Sequence, residues 1–165
     1  MTRSEGAHSG GCQCGAVRFR VTRLGRPTIC HCRMCQKAFG SFFGPFVTAL
    51  EMQWTRGAPK YFASSDHMQR GFCGTCGTPL SYEKTTPGPE DHTELAIGAF
   101  DDPTVAAPVM QVNLTDRLPF FAGLPGLPER TEYPAEWLEF MAELTSHQHP
   151  DHDTETWPPA KGHAT

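Results

Sequence analysis

Apolar and polar residues alternate along several short stretches of the chain, which is typical of half-buried β-strands. In the clearest stretch, at 11–21, Val17, Phe19 and Val21 alternate with Arg18 and Arg20. The same kind of pattern predicts further strands at 27–32, 41–50, 52–54, 60–62, 68–72, 79–83, 94–99 and 109–114. A short helical turn is predicted at 33–39. The sequence therefore predicts a mainly β fold made of many short strands.

One short amphipathic helix is predicted near the C-terminal end of the chain. The segment PAEWLEFMAELTSH, which begins at Pro134, places Trp137, Leu138, Met141 and Leu144 on one stripe. A proline suits the first turn of a helix, because the N–H group that it lacks would be unpaired there. We expect this helix to pack on the sheets.

The length of 165 residues favours a single domain. We predict that this domain covers residues 8–145 and that residues 146–165 form a polar, His-rich C-terminal tail. Apart from Trp157, the tail has little to bury. Two interpretations remain for its acidic and imidazole side chains, a metal site or a solvated segment, and the composition favours the second. These side chains are His147, His149, Asp151, His152 and Asp153.

The composition indicates a small, turn-rich core that needs additional stabilisation. The chain contains 16 Gly, 15 Pro, 11 Phe and 7 Cys. The first residues lack the apolar run of a signal peptide, and no apolar window is long enough to span a membrane. We therefore expect a cytoplasmic protein with reduced thiols, in which clustered cysteines are metal ligands or redox groups. The odd number of cysteines also argues against a complete disulfide framework.

Charge is distributed unevenly along the chain. Residues 1–82 have a formal net charge of +7 and residues 83–165 one of −11, which together give −4. All seven cysteines lie in the basic half, so thiolates compensate for part of that excess. The remainder favours a small anionic ligand, whereas the overall acidity argues against a nucleic-acid partner.

The cysteines fall into three groups with the spacing of metal ligands: Cys12-x-Cys14-Gly15, Cys30-His31-Cys32-x₂-Cys35 and Cys73-x₂-Cys76-Gly77. In a strand, residues i and i+2 point to the same side, so each C-x-C would present two sulfur atoms together. A following glycine permits the backbone conformation that turns amides toward sulfur. The economical partition uses two zinc ions per chain, one on Cys12, Cys14, Cys73 and Cys76 and the other on Cys30, Cys32 and Cys35.

The spacing alone leaves the second zinc open between a catalytic and a structural role. Three thiolates leave one tetrahedral position free for a substrate. His31 is a candidate fourth ligand, although on a strand it points away from Cys30 and Cys32. His67 or Asp66 would also close the site. A redox role for the C-x-x-C pair is the weaker interpretation, because it does not account for the C-x-C pairs.

Three motifs resemble the glutathione-dependent formaldehyde-activating enzyme family, which includes centromere protein V. They are G-C-x-C-G-x-V-x-F at 11–19, C-H-C-x-x-C-x-K at 30–37 and R-x-F-C-x-x-C-G-T-P-L-x-Y at 70–82. The resemblance implies a fold of several short, coiled antiparallel sheets (the β-tent), two zinc ions and carbon–sulfur lyase activity. It also implies that the four-cysteine group holds a structural zinc and that Cys30, Cys32 and Cys35 hold the catalytic one.

A zinc ion held by three thiolates suits a soft fourth ligand such as a substrate thiol, whose pKa falls on coordination. We therefore expect a zinc-dependent lyase that makes or breaks a C–S bond between a small, glutathione-like thiol and an aldehyde such as formaldehyde. Lys37 and Arg70 are candidate substrate-binding cations. The alternative, from a different functional class, is a non-catalytic zinc-stabilised β-tent module that binds another macromolecule.

One segment departs from the pattern of the family. At 109–120 the chain has Gln111 where the family commonly carries His, and Phe120 where it commonly carries Trp. A histidine lost at this point would alter the substrate pocket or the handling of a proton.

Overall fold

The computed structural model describes residues 5–89 and 91–158. Within these ranges the chain forms eight strands and two short α-helices. The strands are β1 (Glu5–Gly11), β2 (Arg18–Cys30), β3 (Gly44–Arg56), β4 (Lys60–Ala63), β5 (Met68–Phe72), β6 (Pro79–Lys84), β7 (Thr93–Ala96) and β8 (Met110–Val112). The helices are α1 (Arg33–Phe39) and α2 (Ala135–Glu143), and 3₁₀ turns cover Ile97–Ala99, Pro103–Ala106, Leu114–Asp116 and Pro119–Gly126.

The strands form one sheet in the order β1-β2-β3-β7-β6-β5-β4, with β8 added on β2. All pairs are antiparallel except β2 with β8. The mainly β, antiparallel class is thus confirmed. Several short sheets were expected, whereas the described strands form one continuous sheet. Strands β2 and β3, which join its parts, are longer than predicted. Repeated register shifts between these two strands mark bulges, where a sheet bends and twists.

The alternation predicted for the first long strand places its apolar side chains in the core. Phe19 and Val21 are fully buried, and the Phe19 ring packs edge-on against Phe100 and Trp54. Arg20 is exposed, as the alternation implies. Arg18 differs, because it is 3% exposed. Its burial is possible because two carboxylates reach it, as described below.

The predicted C-terminal helix forms, but its expected packing on the sheet is wrong. Helix α2 follows Pro134, and none of its residues is buried. Trp137 and Met141 remain nearly half exposed. The preceding segment contains Pro119, Pro125 and Pro128, which remove backbone donors, and the described residues between β8 and α2 form 3₁₀ turns and no strand. Within the described ranges, no helix combines the length and apolarity needed to cross a bilayer.

Candidate functional site

Four cysteines converge from two turns at one end of the sheet. Cys12 and Cys14 lie on the turn between β1 and β2, and Cys73 and Cys76 lie on the turn between β5 and β6. Their sulfur atoms are all within 4.8 Å of one another. The Cys12–Cys14 and Cys14–Cys73 sulfur separations are 3.6 and 3.7 Å. Because a tetrahedron with bonds of about 2.3 Å has edges of about 3.8 Å, this cluster fits a zinc ion.

Backbone amides point at the sulfur atoms of this four-cysteine cluster. The Val17 amide donates to the Cys12 sulfur at 3.2 Å, and the Thr75 and Cys76 amides donate to the Cys73 sulfur at 3.4 and 3.5 Å. N–H donors of this kind stabilise thiolates and orient metal ligands.

The glycine that follows each cysteine pair has the backbone conformation that the motifs predicted. The φ values are +72° for Gly15 and +79° for Gly77, in a region that side chains disfavour. The expectation that Cys12 and Cys14 share the face of a strand is wrong. They lie on a turn closed by hydrogen bonds from the Gly15 amide to the Cys12 carbonyl and from the Cys12 amide to the Val17 carbonyl.

The C-terminal segment 148–157 packs beside this cluster through His149 and Trp157, so its interpretation as a solvated tail is wrong for these two residues, whereas His147, Asp151, His152 and Asp153 are exposed as expected. His149 is 3% exposed, and the Trp157 indole N–H donates to the Cys14 carbonyl at 2.7 Å. A Cβ atom on Gly15 would lie 2.3 Å from the His149 ring and 2.5 Å from Trp157. The boundary between residues 8–145 and 146–165 stays a prediction, and residues 159–165 lie outside the described ranges.

Polar contacts of Arg18 and Arg56 connect the same segment to the sheet. Arg18 donates to Asp101 at 2.8 Å and to Asp153 at 2.9 Å. Arg56 donates to the carbonyl and hydroxyl oxygens of Thr154. These contacts explain why Arg18 can be buried. A cavity of about 440 Å³ reaches Cys12 and Cys76, and the Arg18 and Asp101 side chains on its wall are paired with each other.

The other three cysteines form a second cluster where β2 meets α1. Cys30 is the last residue of β2, Cys32 is the N-cap of α1, and Cys35 lies in α1. Their sulfur atoms lie within 4.8 Å of one another. The cysteine partition predicted from the spacing is the grouping in the structure. Among the described residues, these two clusters are the groups of side chains that could hold a metal ion. The C-terminal histidines and aspartates of that part of the chain form no such group.

Three donors from three different elements face the sulfur atoms of the second cluster. The Asn113 side-chain amide donates to Cys30 at 3.2 Å, and the Cys35 amide donates to Cys32 at 3.4 Å. The guanidinium of Arg70 donates to Cys35 at 3.5 Å and stacks on the Tyr82 ring, 4.7 Å from its centroid. The donors compensate negative charge on all three sulfur atoms.

Within each cluster, the pKa of one thiol is raised and that of another is lowered. Burial raises the pKa of Cys12 and of Cys35 to about 12 in each case. Burial also opposes ionisation of Cys30 and Cys76, but hydrogen bonds outweigh it there. The pKa of Cys30 is lowered, and that of Cys76 falls to about 6. Several thiolates can coexist at such short distances only with a cation among them, so both clusters are suited to a metal ion.

A cavity of about 420 Å³ opens directly beside the three-cysteine cluster. Cys30, Cys32 and Cys35 line one end together with Asn113 and Arg70. Its other walls include Tyr82, Glu94, Thr48 and Arg26. Its volume is within the range of small-molecule binding sites.

The two cations predicted to bind substrate have different surroundings. Arg70 lies on β5, is 9% exposed and lines the cavity. Lys37 is exposed in the last turn of α1 and is not part of the cavity wall.

The histidines and the aspartate considered as a fourth ligand all lie apart from the three-cysteine cluster. His31 is fully buried, with its Nε2 atom 2.8 Å from the Gln111 side-chain oxygen and its ring against Phe121. Gln111 therefore holds His31 in place instead of facing the cavity. Asp66 and His67 are exposed between β4 and β5, and neither belongs to a metal-ligand group of the described residues.

Several polar residues of the cavity wall were not predicted from the sequence, among them Arg26, Glu94, Tyr82 and Asn113. A signal for Arg26 was present, because residues 26, 28 and 30 have the i, i+2 spacing of one strand face. The predicted strand began at residue 27, whereas β2 runs without interruption from Arg18 through Arg26 to Cys30. Glu94 and Tyr82 come from other strands and join the site only through the register of the sheet.

A comparison with models of known protein families agrees with the motif pattern. Residues 7–116 match the family model described as glutathione-dependent formaldehyde-activating enzyme. Among solved structures, the chain is similar to a crystal structure of a Rhodobacter sphaeroides protein. The two share 20% sequence identity with a TM-score of 0.48, over 63% of this chain and 99% of that one.

Proposed function

The chain belongs to the glutathione-dependent formaldehyde-activating enzyme family, and from this premise we propose that it is a zinc-dependent carbon–sulfur lyase. Family membership gives the coarser function, which is glutathione-related activation of formaldehyde or related C–S chemistry. The finer proposal is that the protein forms or cleaves the adduct of a small, glutathione-like thiol with an aldehyde. The observation that carries it is a cluster of three sulfur donors that opens onto a cavity.

The donor sets of both clusters support zinc as the metal. Thiolates are soft ligands, and tetrahedral sulfur sites are typical of zinc. Four donors complete the coordination of one ion, which supports a structural role for Cys12, Cys14, Cys73 and Cys76. Three donors leave a position for substrate, which supports a catalytic role for Cys30, Cys32 and Cys35. A zinc ion bound there would supply a Lewis acid that lowers the pKa of a thiol ligand.

The residues around the cavity would assist the chemistry in two ways. Asn113 and Arg70 reduce the negative charge of the cysteine sulfurs and fix their orientation. Burial raises the pKa of Tyr82, so its phenol keeps its proton at neutral pH. The Tyr82 hydroxyl can therefore donate a hydrogen bond to an oxygen that gains charge.

The proposed reaction balances without a redox partner. A sulfur lone pair of the substrate thiolate forms a C–S bond to the carbonyl carbon, and the π pair of the C=O bond moves to oxygen. The oxygen then takes a proton from solvent, which gives the S-hydroxyalkyl adduct. In the opposite direction the hydroxyl loses that proton, the C=O bond re-forms and the thiolate leaves.

Exchange spectroscopy by NMR tests this function with glutathione and formaldehyde. The zinc-loaded protein should exchange free and S-hydroxymethyl glutathione faster than the spontaneous rate. Cys32→Ser should return the exchange to that rate while the circular dichroism spectrum stays native. If the native protein gives no acceleration, the lyase proposal is wrong and a non-catalytic zinc module replaces it.

We place this activity in the cytoplasm. The support is chemical, because seven free cysteines in two ligand clusters require a reducing compartment to remain thiols. The partners that follow from the proposal are a small thiol and its aldehyde adduct.

A further inference from the structure

The wall of the cavity away from the cysteines carries two opposite charges. Arg26 lies on β2 and Glu94 on β7, and both line the cavity that contains Cys30 and Cys35. Glu94 is paired in register with Thr48 of β3. The β2–β3 pairs Leu24–Ala49 and Pro27–Val47 flank the position of Arg26. Arg26, Thr48 and Glu94 therefore form one row across three neighbouring strands.

These two charges are not paired with each other. One carboxylate oxygen of Glu94 accepts a hydrogen bond from the Thr48 hydroxyl at 2.8 Å. Within residues 5–89 and 91–158, none of the ion pairs includes Arg26 or Glu94. Burial raises the pKa of Glu94 even though Thr48, His92 and Arg26 oppose the shift. A half-buried carboxylate that is in no ion pair gains from a ligand that brings a cation into direct contact with it.

The distance between this charged pair and the cysteines suits a short peptide. Arg26, Thr28 and Cys30 alternate along one face of β2, and all three line the cavity. Four residues of strand cover about 13 Å, and an extended tripeptide covers about 10 Å. A ligand of that length with its thiol on the central residue reaches both the cysteine cluster and the charged pair when the long side chain of Arg26 extends toward it.

We propose that Arg26 and Glu94 bind the carboxylate and the ammonium of an α-amino acid group, and so select thiols that carry one. A guanidinium recognises a carboxylate through paired N–H donors, and the Glu94 carboxylate accepts from the ammonium. The γ-glutamyl end of glutathione has this chemistry, whereas simple alkyl thiols lack it. This inference rests on the proposed function, because it assumes that the thiol of the ligand reaches the three-cysteine cluster.

Calorimetric titration of the zinc-loaded protein with two thiols tests the inference. The thiols are glutathione and glutaryl-cysteinylglycine, which lacks only the ammonium of the γ-glutamyl group. Native protein should bind glutathione about tenfold more tightly, since a charge-assisted hydrogen bond contributes about 1.5 kcal/mol or more. Glu94→Gln should reduce this preference to about twofold or less.

Variants of single cations provide the matched control. Arg26→Gln should weaken glutathione binding about tenfold, whereas Lys60→Gln removes an exposed cation of β4 outside the cavity and should change it less than about twofold. Unchanged circular dichroism spectra establish that the variants are folded.

The possible failures are distinguishable. If native protein binds both thiols equally, the ammonium is not recognised and the inference is wrong, while the proposed thiol chemistry stands. An unchanged preference in folded Glu94→Gln would equally overturn the role of Glu94. If native protein binds neither thiol at millimolar concentration, the proposed function itself fails and the inference fails with it.

Discussion

The two cysteine clusters use the same ligand type but differ in what their surroundings leave available. Around the four-cysteine cluster, Arg18 is paired with Asp101 and Asp153, and Trp157 is bonded to the Cys14 carbonyl. Around the three-cysteine cluster, Arg26 and Glu94 face a cavity, and neither belongs to an ion pair of the described residues. Under the proposed function, ligand number and the pairing of nearby charges would together separate a structural metal site from a reactive one.

Serine substitutions in the two clusters should have the most unequal effects. Cys12→Ser removes a buried ligand, and structural zinc contributes about 10–16 kcal/mol in finger peptides, more than the stability of a typical domain. We expect this variant to be insoluble or unfolded. Cys32→Ser should stay folded and lose one zinc ion. Circular dichroism and elemental analysis measure both properties, and equal unfolding of the two variants would show that both zinc sites are structural.

Asp101→Asn tests the ion pairs beside the four-cysteine cluster. Its lowered pKa results from Arg18 and Ser9, which outweigh burial. We expect the free energy of unfolding to fall by about 3 kcal/mol at pH 7, since a buried charge loses a partner.

The pH dependence of this deficit has a defined sign. A lowered carboxyl pKa stabilises the fold above the unfolded value of about 3.9, and the effect is lost as the pH falls through the folded value. Urea titrations at pH 7 and pH 5.5 should therefore give the same deficit. If the loss of unfolding free energy in Asp101→Asn were smaller at pH 5.5 than at pH 7, it would come from a group other than Asp101.

Trp157→Ala tests whether the C-terminal segment stabilises the same region. Loss of a partly buried indole and of its hydrogen bond costs about 2 kcal/mol, which lowers Tm by about 4–8 °C for a chain of this size. Trp137→Ala is the matched control, because Trp137 is 45% exposed on α2. Equal melting temperatures of the two variants in calorimetry would contradict the packing of segment 148–157.

Arg70→Gln should weaken metal binding at the three-cysteine cluster only. The guanidinium favours the thiolate form of Cys35, and loss of such an outer partner reduces metal affinity about tenfold. Competition with a zinc-binding dye measures the loss, which should affect one of two zinc ions. Lys37→Gln serves as control. If it weakened zinc binding by the same amount, the effect of Arg70→Gln would come from the loss of a positive charge in general and not from the contact with Cys35.

The sequence predicted the cysteine partition because ligand spacing is local information. It also predicted the buried alternation of Phe19 and Val21, since strand periodicity is local as well. It did not predict that segment 148–157 packs on the sheet. That segment is polar, and its burial depends on Arg18 and Arg56, more than ninety positions away in the chain.

The cavity wall shows the same division between local and distant information. Arg26 could have been predicted, because residues 26, 28 and 30 follow the i, i+2 pattern of one strand face and β2 includes all three. Glu94 and Tyr82 were not, because only the pairing of β3, β7 and β6 brings them beside the cysteines.

Release of zinc to a chelator in excess, followed over time, tests most directly the claim that one metal site is coordinatively complete and the other open. We expect two zinc ions per chain that leave in two phases of equal amplitude, with the fast phase missing in Cys32→Ser. A single phase that accounts for both ions, or fewer than two zinc ions per chain, would contradict it.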